Sequence, residues 1–224
     1  MKNISIAIDG PAGSGKSTVA KIISNDMNIL YVDTGAMYRS IGYYCINNCI
    51  DTKNEFEVKS ILNNIDLDIK LTEKGQLIYM NGIDITSKIR TQFVGKAASD
   101  VASIFQVREK LVQIQRDLAK NISVIMDGRD IGTNVLPNAD IKIFLNATIN
   151  ERAKRRFGEL VNIGENPNIE DVKKQIIERD NIDINRKFNP LKKAEDAIEI
   201  DTTGMSIEMV VSNIKDIINK KFFL

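Results

Sequence analysis

The fold is decided by one short stretch near the start of the chain, Gly10-Pro11-Ala12-Gly13-Ser14-Gly15-Lys16-Ser17-Thr18. This stretch matches the pattern G-x-x-x-x-G-K-[ST], in which backbone N–H groups cradle phosphate groups between a strand and a helix. The apolar run at 4–9 and the helix-like run at 19–23 supply that context. Glycines let the backbone curl so that its N–H groups face one cavity. The stretch therefore predicts a phosphate-binding loop, the alternative being an ordinary glycine-rich turn.

Two side chains of this loop have a chemistry of their own. We expect Lys16 to reach the β- and γ-phosphates of a nucleoside triphosphate and the Ser17 hydroxyl to bind Mg²⁺. The positive N-terminal end of the following helix adds to the attraction for a polyphosphate. We assign residues 10–18 to the nucleotide and Ser17 to the metal.

Composition restricts the class of protein. Of the 224 residues, 43% are hydrophobic and 27% are charged, which is typical of a globular protein and untypical of a disordered chain. The net charge of +1 gives no overall field that would attract nucleic acid or a membrane surface. The chain has no histidine, which excludes the commonest general base and the commonest metal ligand. The length suits one large α/β domain.

The two cysteines, Cys45 and Cys49, lie four residues apart in an apolar segment that is predicted to be helical. Without further ligands nearby, we expect both to pack in the core rather than to bind a metal. Two thiols without a disulfide framework suit a reducing compartment. The first apolar run is too short for a secretory signal, and no run of about 18 apolar residues occurs. We therefore expect a cytoplasmic protein that contacts neither membrane nor nucleic acid.

Alternating strand and helix patterns predict a parallel sheet covered by helices. Strands are predicted at 3–9, 30–33, 123–126, 141–145 and 197–200. Helices are predicted at 15–27, 36–48, 91–119 (split near 105–106), 149–159 and 169–186. A last helix is capped by Ser206, and its apolar face consists of Ile207, Val210, Val211, Ile214, Ile217 and Ile218.

Residues 65–86 break this pattern. Apolar and polar residues alternate strictly from Ile65 to Thr72, which indicates a half-buried strand. A turn at 73–76 leads into a second strand, and Asn81-Gly82 is a strong hairpin signal before a third. We predict a small antiparallel insert in the parallel core, too small to fold alone.

Three predicted strands end in acidic, glycine or arginine residues, at Asp9-Gly10, Asp33-Thr34-Gly35 and Asp127-Gly128-Arg129-Asp130. Ligands of open α/β sheets bind at such carboxyl ends, so the convergence suggests a second substrate beside the triphosphate. Asp33 and Asp127 taken singly could equally be helix caps or salt-bridge partners.

Two predicted helices carry arginines at helical spacing. Arg152, Arg155 and Arg156 share one face and could clamp transferring phosphates, or could simply face solvent. Arg179, Asp183 and Arg186 share a face of the next helix, where the alternative is a surface ion pair of about 0.5 kcal/mol.

Five motifs together make the sequence specific. They are Ile-Asp-Gly-Pro-Ala-Gly-Ser-Gly-Lys-Ser-Thr (8–18), Asp-Thr-Gly-Ala-Met-Tyr-Arg (33–39), Arg-Thr-Gln (90–92), Asp-Gly-Arg-Asp-Ile-Gly-Thr (127–133) and Glu-Arg-Ala-Lys-Arg-Arg (151–156). In this set and order the chain resembles the bacterial cytidylate kinases, which transfer the γ-phosphoryl group of ATP to CMP or dCMP. The resemblance implies a three-layer P-loop fold with a five-stranded parallel sheet, a small antiparallel β insert and a short helical lid. It places the kinase core at 1–62 and 91–224, the lid at about 151–168 and the nucleoside-monophosphate-binding insert at 63–90.

The resemblance also implies roles for single residues. ATP would bind at residues 10–18, together with Mg²⁺. The residues implied around CMP are Thr34, Arg39, Ser99, Arg108, Arg129, Asp130, Arg179, Asp183 and Arg186. Lys16, Arg129, Arg155 and Arg156 would be catalytic, and Arg152 would also belong to the lid. We expect a monomer. The alternatives are a P-loop kinase with another acceptor and a nucleotide-dependent switch, although the Asn-Lys-x-Asp signature of GTP switches is missing from the sequence.

Overall fold

The architecture is taken from a computed structural model, in which residues 3–72, 75–120 and 122–222 are described. The strands of this part are β1 (Ser5–Asp9), β2 (Leu30–Asp33), β3 (Leu67–Thr72), β4 (Gly75–Met80), β5 (Ile83–Asp84), β6 (Val124–Gly128), β7 (Ile141–Asn146) and β8 (Ile198–Asp201). Its α-helices are α1 (Lys16–Met27), α2 (Thr34–Asn47), α3 (Glu55–Ile61), α4 (Gln92–Val101), α5 (Phe105–Ala119), α6 (Ile149–Asn162), α7 (Ile169–Asn185) and α8 (Ile207–Phe222). Short 3₁₀ turns occupy 62–64 and 88–90, and a π-helical turn occupies 131–135.

The central sheet is parallel, with the strand order β2-β6-β1-β7-β8. In its middle, Ile6 of β1 lies between Ile125 of β6 and Ile141 of β7. All five strands point the same way, so their carboxyl ends line one edge of the sheet. The phosphate-binding stretch follows β1 at the centre of that edge. The predicted five-stranded parallel sheet is confirmed.

Helices cover both faces of this sheet, as the apolar runs in its strands require. On one face, Ile8 and Ile125 pack with Val19 of α1 and Ile214 of α8 in a fully buried cluster. The other face has a second cluster, in which Met126 packs near Val112 of α5 and the π-helical turn. The arrangement has three layers, as predicted.

The antiparallel insert is also confirmed. Strands β3, β4 and β5 form a three-stranded sheet in sequence order. The β4–β5 turn places Asn81 at φ 49° and Gly82 at φ 79°, a left-handed pair that asparagine and glycine tolerate best. The inner face packs on α2 and α4 through buried Ile78, Met37 and Val94. Glu73 and Lys74 of the predicted β3–β4 turn lie outside the described residues.

Three details differ from the sequence predictions. Cys45 is buried in α2, but Cys49 is exposed just past the end of that helix, so its predicted place in the core is wrong. The chain turns there with Cys49 at φ 55°. Ile207 is 46% exposed and does not belong to the buried face of α8, because it stands at the first position of the helix. Helix α3, capped by Asn54, was not predicted from the sequence.

None of the helices described here is both long and apolar enough to cross a lipid bilayer.

Candidate active site

A cleft of about 1240 Å³ opens at the carboxyl edge of the parallel sheet. The phosphate-binding stretch lines one side, and residues from α2, α4, the end of β6 and α7 line the other. Its volume exceeds the roughly 300–1,000 Å³ of a typical site for one small ligand. The cleft therefore has room for two substrates side by side.

Residues 10–18, hereafter the phosphate loop, are shaped by close backbone contacts. A Cβ atom on Gly10 would lie 2.0 Å from the carbonyl oxygen of Leu145 on the neighbouring strand β7. Gly13 has φ 73°, and its Cβ would lie 3.1 Å from the carbonyl oxygen of Arg152. Only glycine fits at Gly10, and the loop then leads directly into the N-terminus of α1.

Lys16 lies inside this loop and is only 5% exposed. Its Nζ donates to the carbonyl oxygen of Pro11 (2.6 Å) and to Ser14 Oγ (3.1 Å). Burial and the nearby Arg129 hold the pKa of Lys16 well below its usual value. A buried ammonium group with only neutral oxygens as partners has lost its hydration without gaining a counter-ion. A bound anion would therefore strongly stabilise the charged form of Lys16.

Ser17 faces a carboxylate at the end of β6. Its Oγ donates to Asp127 Oδ2 at 2.6 Å, and the Tyr31 hydroxyl donates to Asp127 Oδ1 at 2.8 Å. Burial, together with nearby Asp33, raises the pKa of Asp127. With the residues that the structure describes, Asp127 thus forms neither a helix cap nor a salt bridge, and it would be stabilised by a cation. Hydroxyl and carboxylate oxygens are the hard ligands that Mg²⁺ prefers.

Five arginines and three carboxylates, hereafter the arginine network, lie on the opposite side of the cleft, and all of them except the buried Arg108 line it. Its members are Arg39, Arg108, Arg129, Arg179, Arg186, Asp33, Asp130 and Asp183. Its ion pairs are Arg39–Asp33 (2.7 Å), Arg108–Asp130 (2.5 Å), Arg129–Asp183 (2.7 Å), Arg186–Asp130 (3.0 Å) and Arg186–Asp183 (3.7 Å). Five positive and three negative side chains give the network two excess positive charges.

Several guanidinium atoms of the network are unused. The Nε atoms of Arg39, Arg108 and Arg179 are buried and make no hydrogen bond to any described residue. Burial and nearby Arg129 lower the pKa of Arg179 to about 10. Buried donors without partners are costly, so the network is built for an anionic or polar ligand.

The structure also places the acidic members of the network. Asp33 caps α2, with Oδ1 accepting from Ala36 N (2.9 Å), so its two alternative roles, helix cap and salt-bridge partner, coexist. Burial alone would raise the pKa of Asp33, but Arg39 holds it below its usual value. Asp183 is 4% exposed and Arg186 is 8% exposed. The alternative of a surface pair on α7 is therefore wrong.

Two hydroxyl groups predicted near the second substrate also line the cleft. Thr34 is 3% exposed, and its Oγ1 donates to the carbonyl oxygen of Asp127 at 2.7 Å. Ser99 is 5% exposed, and its Oγ donates to the carbonyl oxygen of Gly95 at 3.4 Å.

The three arginines of α6 have separate environments. Arg156 lines the cleft and pairs with Glu159 at 2.8 Å. Arg155 lies beside the phosphate loop, 3.8 Å from the position of a Cβ on Gly15, and donates to Thr202 Oγ1 (2.9 Å). Arg152 is buried, with its Nη1 donating to the carbonyl oxygen of Ala12 (3.0 Å). In this structure, only Arg156 of the three faces the space between the two sides.

Some residues of the site escaped sequence reasoning. Asp180 accepts a hydrogen bond from Ala12 N at 3.1 Å, across 168 residues of chain. Gln76 of the insert binds both backbone groups of Asp33, at 2.7 and 3.3 Å. Phe93, 69% exposed, follows the Arg-Thr-Gln motif at the mouth of the cleft. No local pattern marks the first two residues, because their partners are distant in sequence.

Comparison with known proteins identifies the family. The cytidylate kinase family profile matches residues 6–220, almost the whole chain. The chain belongs to the cytidylate kinase family. It is 53% identical to a cytidylate kinase of Geobacillus sp. (strain WCH70) over 219 residues, which are 98% of each chain. It is 49% identical to a cytidylate kinase of Caldicellulosiruptor bescii, over 98% of this chain and 97% of the relative.

The fold is shared more widely. A crystal structure of a gluconokinase from Sinorhizobium meliloti 1021 superposes with a TM-score of 0.51 over 98% of this chain and 96% of that one. Identity there is 13%, so this likeness concerns the fold alone. The chain is thus a cytidylate kinase family member on a P-loop kinase fold, and its nucleoside-monophosphate kinase assignment follows from the family.

Proposed function

We propose that this chain transfers the γ-phosphoryl group of ATP to CMP or dCMP and releases ADP and CDP or dCDP. One observation supports this most strongly. The phosphate loop and the arginine network, two separate sets of anion-binding groups, face each other across a single cleft. A protein that only binds or hydrolyses a nucleotide needs the first set and not the second. Transfer between two phosphorylated substrates needs both.

The phosphate loop is the proposed ATP site. The N–H groups of residues 10–18 and the N-terminus of α1 bind the phosphates. Lys16 Nζ, now bonded to Pro11 O and Ser14 Oγ, turns to the β- and γ-phosphate oxygens. The ammonium group thereby exchanges two neutral hydrogen-bond acceptors for negatively charged phosphate oxygens, which favours this change of partners.

Mg²⁺ fits beside this loop. Ser17 Oγ would bind the ion, and Asp127, 2.6 Å from that hydroxyl, would hold it directly or through water. Among the described residues, no group of three or more histidine, cysteine, aspartate or glutamate side chains could hold a metal. ATP itself would therefore supply several ligands of the ion. When bound, Mg²⁺ neutralises charge on the β- and γ-phosphates.

The arginine network is the proposed CMP site, together with Thr34 and Ser99. Arg39, Arg129, Arg179 and Arg186 would hold the acceptor phosphate, and Asp183 the sugar. Asp130 would accept a hydrogen bond from the amino group of cytosine and would repel the carbonyl oxygen of uracil. It keeps capacity for this, because among the described residues Oδ1 accepts from Arg186 alone, while Oδ2 accepts from Arg108 and Asn134. Arg108 and Ser99 would complete the base edge.

The proposed mechanism needs no general base. Because the second pKa of a phosphate monoester is about 6, the acceptor oxygen is ionised near pH 7. That oxygen attacks the γ-phosphorus, and the bond from the γ-phosphorus to the β–γ bridging oxygen breaks. Catalysis is then positioning and charge stabilisation by Lys16, Arg129, Arg155 and Arg156. Arg155 must leave Thr202 to take part, which a closing movement of the 151–168 lid would bring about.

Three further assignments belong to this proposal. Residues 63–90 form the insert that serves the acceptor side, and residues 1–62 and 91–224 form the kinase core. One chain supplies both sides of the cleft, which supports a monomer. Free cysteines and an ATP-dependent reaction support a place in the cytoplasm.

The deciding experiment is an ADP-release assay with CMP, dCMP, UMP, AMP and GMP as acceptors. We expect fast release with CMP or dCMP and little without acceptor, because a kinase turns over only with both substrates. In Asp130→Asn, turnover with CMP should fall while that with UMP falls less, because the variant no longer repels the uracil carbonyl. A preference for AMP or GMP would contradict the proposal, and ATP turnover independent of any acceptor would favour a nucleotide switch.

A further inference from the structure

Three distant parts of the chain meet at one residue of the phosphate loop. The backbone N–H of Ala12 donates to Asp180 Oδ1 at 3.1 Å, and its carbonyl oxygen accepts from Arg152 Nη1 at 3.0 Å. Arg152 Nη1 also donates to Asp180 Oδ2, which closes the triangle. A single buried ion pair thus binds both backbone groups of Ala12. We call Asp180, Arg152 and Ala12 the loop anchor.

The loop anchor is buried and electrically balanced. Asp180 and Arg152 are each 8% exposed, and Arg152 Nε donates to the carbonyl oxygen of Ala147 at 3.0 Å. Because the two charges compensate, the pair adds little net field where phosphates bind. Because both groups are buried, either charge without its partner would strongly destabilise the fold. The two side chains must therefore keep their relative positions. These features indicate a positioning role rather than direct contact with phosphate.

Asp180 also belongs to the helix that carries much of the arginine network. Arg179 precedes it in α7, Asp183 follows at i+3, and Arg186 is the C-terminal cap. Arg129 at the end of β6 is paired with Asp183 of the same helix turn. A helix transmits displacement along its length, so a ligand that pulls on Arg179 or Arg186 also moves Asp180. Asp180 in turn is bonded to the phosphate loop.

We propose that Asp180 and Arg152 are positioning residues that make the affinity of the phosphate loop for ATP depend on occupation of the arginine network. The inference rests on the proposed function, because the network must be the acceptor site. When CMP binds, α7 shifts by contact with the acceptor phosphate, and Asp180 and Arg152 carry the shift to Ala12. The N–H groups of residues 13–18 then take the orientation that binds the triphosphate. Arg152 therefore acts on the loop and not on the transferring oxygens.

The test is binding calorimetry with a non-hydrolysable ATP analogue, with and without saturating CMP. In wild type, we expect CMP to raise the affinity for the analogue about 5-fold or more, within the usual range of coupling between sites. In Asp180→Asn, CMP should change the affinity for the analogue by less than about 2-fold. The affinity for CMP alone should stay within about 2-fold of wild type, because Asp180 is not among the residues assigned to the acceptor.

Two further variants keep the result interpretable. Asp180→Asn combined with Arg152→Gln leaves no unpaired charge, so this double variant should fold and still lack coupling. Val58→Ala, a fully buried position in α3 outside the cleft, is the matched control for lost stability. It should lower the melting temperature and keep the wild-type coupling factor.

The outcomes separate the two proposals. If wild type binds the analogue but not CMP, the proposed function fails and the inference falls with it. If wild type binds both ligands and CMP does not change the affinity for the analogue, the inference alone fails. It also fails if Asp180→Asn and the double variant keep the wild-type factor, since the anchor would then be purely structural.

Discussion

The two sides of the cleft hold anions by different means. The phosphate loop uses nine consecutive residues, and its donors are backbone N–H groups fixed by glycines and by contact with β7. The arginine network uses side chains from α2, α5, the end of β6 and α7, and each of its carboxylates is already paired with an arginine. The loop side should therefore tolerate little change in backbone shape, and the network side little change in charge.

The largest effect is expected at Lys16 of the phosphate loop. Lys16→Met should lower kcat by about 10⁴-fold or more, because the charge that neutralises the transferring oxygens is lost. The fold should survive, since a buried ammonium is replaced by an apolar side chain of similar length. Steady-state kinetics and thermal unfolding measure the two effects. Near-normal turnover would break the assignment of this side as the donor site.

On the network side, Arg129→Gln should lower kcat/KM for CMP by about 10³-fold, by comparison with other arginines that stabilise phosphoryl transfer. Arg129→Lys should restore little, because a lysine cannot reproduce the planar two-point contact. The KM for ATP should change far less than that for CMP. Equal changes in both would show that the two sides are not functionally distinct.

Backbone shape is tested by Gly10→Ala. The added Cβ would lie 2.0 Å from the Leu145 carbonyl oxygen, so the loop or β7 must shift. We expect a loss of about 3 kcal/mol or more in the free energy of unfolding, measured with urea. Gly158→Ala is the matched control, because nothing lies within 4 Å of its added Cβ and the position is helical. Equal stability of the two variants would contradict the close-contact explanation.

The smallest effect concerns pH and the network. Burial alone would raise the pKa of Asp183, but Arg129, Arg179 and Arg186 hold it below its usual value. The stabilising contribution of Asp183 is therefore complete above the unfolded pKa of about 4 and is lost as pH falls through the lower folded value. Asp183→Asn should cost about 2 kcal/mol at pH 7.

The readout is the difference in unfolding free energy between wild type and Asp183→Asn at pH 7, 5, 4 and 3. It should stay constant from pH 7 to about 5 and shrink below about 4. If this difference in unfolding free energy grew on acidification, Asp183 would not be a carboxylate that its arginine partners stabilise in the folded state.

The same contrast explains what the sequence could predict. The phosphate loop is contiguous, so its spacing alone indicated the strand, the loop and the helix, and all three are present. The parallel sheet and the antiparallel insert followed from apolar periodicity. The pairs Arg129–Asp183 and Asp180–Arg152 join residues 54 and 28 positions apart. No local pattern encodes such pairs, and the three arginines that share one face of α6 have three different environments.

The two wrong predictions of burial concern residues at helix termini. Cys49 and Ile207 continue the apolar pattern of α2 and α8 in sequence, yet one lies past the end of its helix and the other at its first position. Periodicity identifies the face of a helix better than its terminus. Seven of the eight residues of the arginine network line the cleft, and the eighth, Arg108, is buried and reaches it through its ion pair with Asp130.

The contact between Gln76 and Asp33 is a polar link between the insert and the acceptor side of the cleft. The amide of Gln76 serves both backbone groups of Asp33, the residue directly before Thr34 and the partner of Arg39. A substitution of Gln76 would thus act on the acceptor side through the backbone of Asp33, even when every residue of the network is kept. The insert therefore supports the acceptor side by a polar contact as well as by its packing on α2 and α4.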